Sequence, residues 1–406
     1  MAKRIQPEIE TFARIRVVGV GGSGRNAVNH MVNSNVRGVE FVAVNTDAQD
    51  LHGSLAKKKI HIGKNLTRGL GAGMNPEVGR RAAEETRQHI QEALQGSDLV
   101  FITCGLGGGT GTGAAPIVAK VAKELGALTI AVVTKPFAFE GAMRKDIAER
   151  GLAELKKEVD AFIVIQNDKL LAISEPGTSA KQAFALCDEI LRQAVEGVSD
   201  IIRTPGDVNT DFNDIKAIME DAGPALMGIG IAEGEERAKE AAKRAVNSPL
   251  LDISINGAKG ILFVVAGSDD LGIIEIQEAA KVVNESVDKN AKIIFGMMKD
   301  RKLKKGQIRI IVIATGFPEQ AVHVAQERSL FSLPTDRRQE ERGKIYNEVL
   351  KRPEPEPEPA PLPREVRAEP LVTALPAEIR PEPKPPVEDE DEAWGAIPAF
   401  LRRHRK

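Results

Sequence analysis

The sequence of 406 residues has few aromatic side chains and very little cysteine. Phe, Trp and Tyr together make up 4% of it, with one Trp and one Tyr, so we expect a core of aliphatic side chains. The two cysteines, Cys104 and Cys187, exclude the disulfide framework of a small secreted domain. We expect both thiols to be reduced, and to be small packed residues rather than reactive ones.

The sequence also lacks a charge bias and a long apolar run. Its formal net charge is −2, with 28% charged residues, which excludes a global electrostatic attraction to nucleic acid or anionic lipid. No charged-then-apolar leader opens it, and no apolar run approaches the length that spans a bilayer. These absences predict a cytoplasmic protein, and the length predicts two domains plus a tail.

The first third of the sequence alternates short apolar segments with helical ones. Strands are predicted at residues 15–20, 39–44, 98–103 and 128–133, and helices at 26–33, 76–94 and 114–125. This alternation predicts a parallel sheet with helices on both faces. Ligands of such sheets bind at the carboxyl ends of the strands.

A long amphipathic helix is predicted at residues 179–203, from apolar residues that recur at helical spacing. A second α/β unit follows, with strands predicted at 260–267, 291–296 and 308–314. From residue 353 the sequence is rich in Pro, Glu and Ala, a composition that cannot build a core and predicts a disordered linker. The last residues, 393–406, regain apolar and basic character, which is typical of a docking peptide.

One run of seven residues points to a ligand: Gly107, Gly108, Gly109, Thr110, Gly111, Thr112 and Gly113. The run follows a predicted strand and precedes a helix predicted from Ala114, with Pro116 tolerated in its first turn. Without Cβ atoms the backbone can approach a ligand, and N–H groups at a helix start favour an anion. The pattern therefore predicts a polyphosphate site, to which both threonine hydroxyls would donate. It is not a Walker loop, because no Lys-Ser or Lys-Thr follows at the required spacing.

A second glycine motif, GxGxxG at residues 19–24, follows the first predicted strand, and Asp47 lies about 20 residues beyond it. Alone it would predict NAD binding, and an NAD-dependent oxidoreductase is the main alternative function. The more elaborate second phosphate loop disfavours that alternative, as does the scatter of the six histidines, none of which is placed as a catalytic base.

The sequence CGLGGGTGTGAAP at residues 104–116 resembles the signature loop of the tubulin superfamily, and in particular of its bacterial cell-division branch. The resemblance extends from about Arg14 to Gly316 and returns in the last dozen residues. It implies a tubulin-like α/β fold divided into a flexible N-terminus (1–13), a GTP-binding domain (14–178), a central helix (179–203), a C-terminal α/β domain (204–318), a mostly disordered linker (319–392) and a partner-docking peptide (393–406).

The same resemblance implies a site for GTP or GDP that several motifs share. The residues it assigns to the nucleotide are Gly21, Gly22, Ser23, Asn26, Asn45, Asp47, Gly71, Ala72, Gly73, the seven residues 107–113, Pro136, Glu140, Arg144, Asn167, Phe184 and Asp188. The segment 69–76 would sense the γ-phosphate. From the residues alone it is a glycine turn followed by an Asn cap and a Pro at the first helical position.

Base recognition is implied for Phe184, which would stack on guanine, and for Asp188, which would accept from guanine N1 and N2. Adenine lacks that pair of donors, so the carboxylate would select GTP over ATP. Glu140 and Arg144 would hold the ribose and phosphate. Without the resemblance, Phe184 is a core aromatic and the Glu140–Arg144 pair a solvated helical pair. The sequence departs from the family pattern at Glu189, where an amide commonly adjoins the aspartate.

Residues 209–214, NTDFND, resemble the catalytic loop of the family, N-x-D-F-x-D. From the residues alone, Asn209 is a helix N-cap and the two aspartates complement the helix dipole. The resemblance implies instead that Asn209, Asp211 and Asp214 complete the nucleotide site of a neighbouring subunit, where the aspartates orient the attacking water. Mg²⁺ would be held mainly by phosphates and water, without a protein metal site.

The function implied is that of a GTPase that polymerises head to tail into the bacterial cell-division ring at midcell. Residues 393–406 would bind membrane-anchoring and regulatory division proteins. A nucleotide-binding scaffold without turnover is the non-enzymatic alternative, and Asp211 and Asp214 disfavour it.

Overall fold

A computed structural model describes residues 13–172, 177–203, 211–247, 255, 257–267, 270–299 and 303–317. Asn209 of the predicted catalytic loop lies outside the described residues. So do the predicted linker, the docking peptide and nearly all of the predicted N-terminal segment. No helix of the described residues is long and apolar enough to cross a membrane.

The described residues form ten strands and twelve α-helices, with a 3₁₀ turn at Ala138–Glu140. The strands are β1 (Ile15–Val20), β2 (Val39–Asn45), β3 (Lys58–His61), β4 (Leu99–Gly105), β5 (Leu128–Lys135), β6 (Ala161–Gln166), β7 (Gly223–Glu233), β8 (Gly260–Gly267), β9 (Lys292–Lys299) and β10 (Gln307–Thr315). The helices are α1 (Gly21–Asn33), α2 (Ala48–His52), α3 (Lys64–Thr67), α4 (Pro76–Glu85), α5 (Arg87–Leu94), α6 (Thr110–Glu124), α7 (Ala142–Leu155), α8 (Asn167–Ala172), α9 (Ala180–Arg203), α10 (Phe212–Met219), α11 (Arg237–Val246) and α12 (Ile273–Asn284).

All ten strands belong to one sheet of order β3-β2-β1-β4-β5-β6-β7-β10-β8-β9. Strands β1 to β6 pair in parallel, which confirms the prediction of a parallel sheet for this part of the chain. Strand β10 pairs antiparallel with both β7 and β8, so the sheet as a whole is mixed. Between β6 and β7 the pairing is parallel but covers only Ala161 with Gly223 and Phe162 with Pro224.

Both faces of the parallel strands are buried. Successive residues of β1, such as Val17 and Val18, point into different apolar clusters, because side chains alternate across a strand. One cluster also contains Ile190 of α9 and Ile311 of β10, so α9 packs into a core that both parts of the sheet share. The prediction of a long amphipathic helix at 179–203 is confirmed with a one-residue difference at its start.

Strand β7 escaped prediction, because its sequence, GPALMGIGIAE, reads as a turn-rich segment. The structure explains the glycines inside it. A Cβ atom on Gly228 would lie 1.8 Å from the carbonyl oxygen of Ala245, and one on Gly230 would lie 1.9 Å from that of Ala241. Helix α11 therefore packs directly on the backbone of β7, and glycine is the residue that permits this approach.

Helix boundaries differ from the predicted ones at three points. Helix α1 begins at Gly21 and α6 at Thr110, so glycines predicted as loop residues form first helical turns. Pro116 is thus inside α6 rather than in its first turn. The helix predicted at 76–94 is broken at Thr86, whose ψ of 15° is not helical.

Candidate nucleotide site

A cavity of about 370 Å³ opens at the carboxyl ends of β1, β4, β5 and β6. Its position is the one that parallel α/β sheets use for ligands. The residues that line it are Val20, Gly21, Gly22, Ser23, Asn26, Ala72, Gly105, Leu106, Gly108, Gly109, Thr110, Gly111, Thr134, Pro136, Glu140, Arg144, Asn167, Phe184, Cys187, Asp188 and Leu191.

The glycine run forms the anion-binding part of this cavity. Gly107 adopts a φ of +98°, which turns the chain from β4 into the start of α6. A Cβ on Gly108 would meet no atom within 4 Å, so the backbone here faces open space. The N-terminus of α6 and the bare glycine backbone together suit a phosphate.

The two threonines of the run have different neighbours from those expected. The Thr112 hydroxyl accepts from the Gly107 N–H at 2.9 Å, and Thr112 does not line the cavity. Thr110 does line it, and its hydroxyl is 2.8 Å from that of the fully buried Thr46. Thr112 therefore holds the turn together, and of the two threonines Thr110 is the one that faces a ligand.

The second glycine motif forms the opposite wall. A Cβ on Gly24 would lie 2.5 Å from the Thr103 carbonyl oxygen, so α1 packs directly against β4. Asp47 does not line the cavity. Its carboxylate caps α2 by accepting from the N–H groups of Gln49 at 2.9 Å and Asp50 at 3.0 Å. This arrangement disfavours the dinucleotide interpretation of the motif.

Asn45, predicted to contribute to phosphate binding, is buried behind the cavity wall. Its Nδ2 donates to Asp50 at 2.7 Å, and Asp50 also pairs with Arg25 on α1. Asn45 and Asp47 thus shape the turn after β2 without lining the cavity.

The predicted γ-phosphate segment contributes Ala72 to the cavity, whereas Gly71 and Gly73 lie outside the lining. Asn75 caps α4 by accepting from the Glu77 N–H at 3.0 Å, and Pro76 is the first helical residue. Both features were predicted from the residues alone. The segment also holds Met74 at a φ of +59°, which is unusual for a residue with a side chain.

On the ribose side, Glu140 and Arg144 form an ion pair next to Pro136. The Glu140 carboxylate also accepts from the Phe137 N–H at 2.9 Å. Since the Glu140 side chain is largely buried, the pair is a fixed feature of the cavity wall rather than a solvated helical pair.

Phe184 lies at the mouth of the cavity with 45% of its surface exposed, which contradicts the interpretation as a core aromatic. Its ring packs edge-on against Phe137 at a centroid distance of 5.2 Å. An aromatic ring held at one edge and open on its face is well suited to stack on a planar base.

Two polar groups beside Phe184 lack partners among the described residues. Asn167 is only 4% exposed, and its buried Oδ1 accepts no hydrogen bond from the described residues. Asp188 makes no hydrogen bond or ion pair within the described part of the chain, and burial raises the pKa of its carboxyl to about 6 against the lowering effect of His30 and Arg25. Unpaired buried acceptors are costly, so this end of the cavity fits a ligand with N–H donors.

Glu189 turns away from the cavity. Arg192 donates to it at 2.6 and 2.8 Å, His30 lies at 2.9 Å and Gln193 at 2.8 Å. The hydrogen bonds from Arg192, with those of His30 and Gln193, lower the pKa of Glu189 to about 2. The second carboxylate is thus neutralised on α9 and leaves Asp188 as the acidic group of the base end.

Both cysteines are buried, which confirms that they are packed residues. Burial raises the pKa of the Cys104 thiol to about 12. Burial together with neighbouring Asp188 does the same for Cys187, so neither is a nucleophile at neutral pH.

The cavity thus gathers most of the residues predicted for the nucleotide. Seven of them lie outside its lining: Asn45, Asp47, Gly71, Gly73, Gly107, Thr112 and Gly113. A Cβ on Gly113 would meet the Pro76 carbonyl oxygen at 1.9 Å, so that glycine serves the packing of α6 on α4. Six lining residues were not predicted: Val20, Gly105, Leu106, Thr134, Cys187 and Leu191. Val20 ends the strand predicted at 15–20, and Gly105 and Thr134 lie within two residues of the ends of the strands predicted at 98–103 and 128–133, so their position near strand ends could have revealed them.

The predicted catalytic aspartates lie on α10, away from this cavity. Asp211, not Asn209, is the N-cap: its carboxylate accepts from the Asp214 N–H at 2.9 Å, and the Asp214 carboxylate accepts from the Asp211 N–H at 3.1 Å. This reciprocal capping box needs both carboxylates, which is why the cap moves two residues along. Asp211 is exposed and Asp214 is half-buried.

Helix α10 leads to the opposite edge of the sheet. Four residues after it ends, Gly223 pairs with Ala161, the first residue of β6, and the Gly223 N–H donates to the Asp160 carbonyl at 2.9 Å. The junction therefore lies at the amino ends of the parallel strands, whereas the cavity lies at their carboxyl ends. Among the described residues, no group of three or more His, Cys, Asp or Glu side chains could hold a metal ion.

A strand–glycine turn–helix phosphate site, combined with an acidic base pocket on a long central helix, defines a guanine-nucleotide-binding protein of tubulin-like fold. The family model of the Tubulin/FtsZ GTPase domain matches residues 14–175, and that of the FtsZ C-terminal domain matches residues 223–318.

Solved structures agree with the family models. An empty FtsZ dimer from M. jannaschii is 48% identical, with a TM-score of 0.71 over 76% of this chain and 89% of that chain. A point mutant of the same protein gives the same identity and TM-score and is covered to 92%. CetZ2 from Haloferax volcanii, solved as a GTPγS-bound protofilament, shares the fold at 24% identity, with a TM-score of 0.66 over 78% of this chain and 97% of that chain.

The chain belongs to the FtsZ family, cell-division GTPases that polymerise into protofilaments. Membership rejects the NAD-dependent oxidoreductase and the scaffold without turnover.

Proposed function

We propose that the cavity holds GTP within one subunit and that hydrolysis requires the α10 aspartates of the next subunit. The observation that carries the proposal is the separation of the two edges. The phosphate turn lies at the carboxyl ends of the strands, and the junction after α10 lies at their amino ends. A head-to-tail contact would bring these two edges together, and repetition of that contact builds an open filament.

The chemistry of the residues suits this division. Asp211 is exposed and Asp214 is half-buried, and the only hydrogen bonds of their carboxylates within the described residues are to each other's backbone. Phosphoryl transfer has a loose transition state, so a carboxylate need only orient the attacking water and does not have to remove its proton fully. Each carboxylate oxygen that is not used in the cap can accept from such a water.

Within one subunit, the cavity would place the phosphates at Gly108–Thr110 and the base at Asn167, Phe184 and Asp188. The unpaired acceptor of Asn167 and the carboxylate of Asp188 support guanine, whose N1 and N2 groups both donate. Mg²⁺ would neutralise the phosphates and be held through them and water, since it retains water and needs few protein ligands.

We extend the proposal to the cellular level. The head-to-tail polymer forms the division ring at midcell, and residues 393–406 bind membrane-anchoring partners through their apolar and basic side chains. Similar proteins support self-association: FtsZ from M. jannaschii has been solved as a dimer and CetZ2 from Haloferax volcanii as a protofilament.

The test is GTP turnover measured against protein concentration. We expect turnover per subunit to rise steeply above the concentration at which filaments form, because each site needs a neighbour. Binding of GTP by the monomer should be present at concentrations well below that point. Turnover per subunit that stays constant through extreme dilution would reject the shared site.

A further inference from the structure

The two edges of the subunit are connected by one helix. Helix α6 begins at the phosphate turn with Thr110 and ends at Glu124, which at about 1.5 Å per residue makes a rod of roughly 20 Å. Its last turn carries Lys123. The same helix therefore touches the nucleotide cavity at one end and reaches the amino edge of the sheet at the other.

At that end Lys123 makes two ion pairs. Its Nζ lies 2.9 Å from Oδ1 of Asp160 and 2.9 Å from Oδ1 of Asp221. Asp160 directly precedes β6, is buried, and accepts from the Thr129 N–H at 2.8 Å through its other oxygen. The ion pair between Lys123 and Asp160 is therefore anchored to the sheet. Asp221 is attached to this pair through its own contact with Lys123.

Asp221 is the second residue after α10. Its φ is +48°, a left-handed conformation that residues with a Cβ adopt only at a cost. The turn continues with the Ala222 N–H donating to the Met219 carbonyl at 3.3 Å, and then enters β7. The ion pair between Lys123 and Asp221 holds this strained residue in the turn between α10 and β7. It therefore fixes the angle between α10 and the sheet.

We infer that Lys123 is a positioning residue for catalysis: by pairing with Asp160 and Asp221 it sets the orientation of α10, and through α10 that of the Asp211 and Asp214 carboxylates offered to the next subunit. This inference rests on the proposed role of those two aspartates. In this role Lys123 contacts neither the nucleotide nor the attacking water. It affects the rate at which the neighbouring subunit hydrolyses GTP, and it does not affect the binding of GTP in the cavity of its own subunit.

The test compares Lys123→Met with Lys120→Met in the full-length protein. Lys120 lies on the same helix, is exposed and has no ion pair among the described residues, so both variants remove one cation from the end of α6. GTP affinity is measured below the assembly concentration, and turnover is measured per assembled subunit. A surface ion pair of about 1 kcal/mol corresponds to a change of about five-fold.

We expect Lys123→Met to lower kcat about five-fold or more, since it also leaves the buried Asp160 without its cation, and to leave GTP affinity unchanged. Lys123→Arg should restore most of the lost kcat, because it keeps the cation. Lys120→Met should behave as the parent protein. A parental kcat in Lys123→Met, or an equal loss in Lys120→Met, would overturn the inference.

A second variant covers the case in which Lys123→Met does not fold. Asp221→Asn removes the outer ion pair but keeps Lys123 on Asp160, and asparagine tolerates the left-handed conformation. It should lower kcat by a smaller factor with unchanged GTP affinity, and an unchanged kcat there would also overturn the inference. Asp214→Asn distinguishes the two proposals: if that variant keeps full turnover, the shared site itself fails, whatever Lys123 does.

Discussion

The two edges of the sheet differ in how completely one chain builds them. At the carboxyl edge, a single chain lines one cavity with the glycine turn, the Glu140–Arg144 pair, Phe184 and Asp188, the groups proposed to hold GTP. At the amino edge, α10 offers two carboxylates, one exposed and one half-buried, whose hydrogen bonds, among the described residues, only cap their own helix. Binding is therefore a property of one subunit, whereas the residues proposed for chemistry have nothing to act on until a second subunit arrives.

The two edges also differ in whether their polar groups have hydrogen-bond partners in the absence of a ligand. The Asn167 Oδ1 is buried without a partner among the described residues, and the half-buried Asp188 carboxylate makes no hydrogen bond or ion pair there, so the cavity presents free acceptors before any nucleotide enters. Asp211 and Asp214 are solvated and capped, and carry no such cost. Substitutions at the two edges should therefore separate affinity from turnover.

The largest effect is expected from Asp214→Asn, which separates chemistry from helix capping. An asparagine oxygen can still accept from the Asp211 N–H, so α10 stays capped, but the charge that orients water is gone. We expect turnover to fall by about 100-fold or more with GTP binding unchanged. Turnover is measured by phosphate release and binding by equilibrium titration of the monomer.

Asp214→Ala is the matched variant, since it removes the charge and the hydrogen bond from the Asp211 N–H, while Asp211 remains as the N-cap. It should lose as much turnover as Asp214→Asn and also some stability, less than the roughly 1 kcal/mol that loss of an N-cap costs. Loss of GTP binding in the Asp214→Asn variant would place Asp214 in the nucleotide site of its own subunit. The proposal that binding and chemistry lie at opposite edges would then be rejected.

At the other edge, Asp188→Asn should weaken GTP binding by about 1.5–3 kcal/mol, because a neutral amide replaces a charged acceptor for the guanine N–H groups. The predicted loss lies in affinity, and turnover at saturating GTP should change much less. Equal affinity for GTP in variant and parent would remove Asp188 from base recognition.

The same substitution should stabilise the nucleotide-free protein at neutral pH. Burial raises the pKa of Asp188 to about 6 from its ordinary value of 3.8. A raised carboxyl pKa means that the folded protein holds this proton more tightly than the unfolded chain does. The stability that the protonated carboxyl contributes is therefore complete below pH 4 and is lost as the pH rises through 6. Above that range Asp188→Asn should raise the free energy of unfolding by up to about 3 kcal/mol, measured by denaturant titration.

A smaller effect is expected from pH in the parent protein. At pH 5.5 about a quarter of the Asp188 carboxyls are ionised in the empty cavity, so affinity for guanosine should be about four-fold weaker than at pH 7.5. Guanosine is the probe because it carries no phosphate that titrates in this range. Asp188→Asn should show no such dependence, and a parallel slope in that variant would assign the titration to a group other than Asp188.

The smallest effect on either edge is expected from removal of residues 393–406. Because a proline- and glutamate-rich stretch is predicted to separate this peptide from the folded chain, turnover and filament formation should stay within about two-fold of the parent. Recruitment to membranes that carry a docking partner should be abolished. Reduced turnover in the truncated protein, without any partner, would show that the peptide acts on the filament itself.

Most of the fold followed from simple periodicities in the sequence. Strands β1, β2, β4 and β5 follow from short continuous apolar segments that alternate with helical ones, and helix α9 follows from apolar residues at a spacing of 3.6. Strand β3 was not predicted, because its four residues, KKIH, contain a single aliphatic side chain. Strand β7 and the first turns of α1 and α6 were missed for a common reason. Their glycines are selected by close packing against α11, β4 and α4, and that packing is visible only once the distant elements are in place.

The site was predictable to the extent that its motifs are local. Gly108, Gly109 and Thr110 follow from a strand–turn–helix pattern, and Asn75 follows from a cap followed by proline. Phe184 shows the limit, because its helical spacing favours a core position, yet it stands exposed beside Phe137 from another segment. The roles of Asp188 and Asp214 came from family resemblance, since nothing in the sequence distinguishes them from an ordinary helix acid and an ordinary capping residue.

The narrow pairing of β6 with β7 has a mechanical consequence. The sheet is continuous, but its two panels share only two residue pairs, at the corner where both strands begin. A hydrogen-bonded ladder of that length offers little resistance to bending. When a filament bends or twists a subunit, we expect the load across this seam to fall on α9, which packs closely against both parts of the sheet: a Cβ on Gly197 would lie 3.7 Å from Met227 of β7 and from Ile311 of β10. Helix α9 is therefore expected to carry most of the mechanical load that passes between the two parts of the sheet.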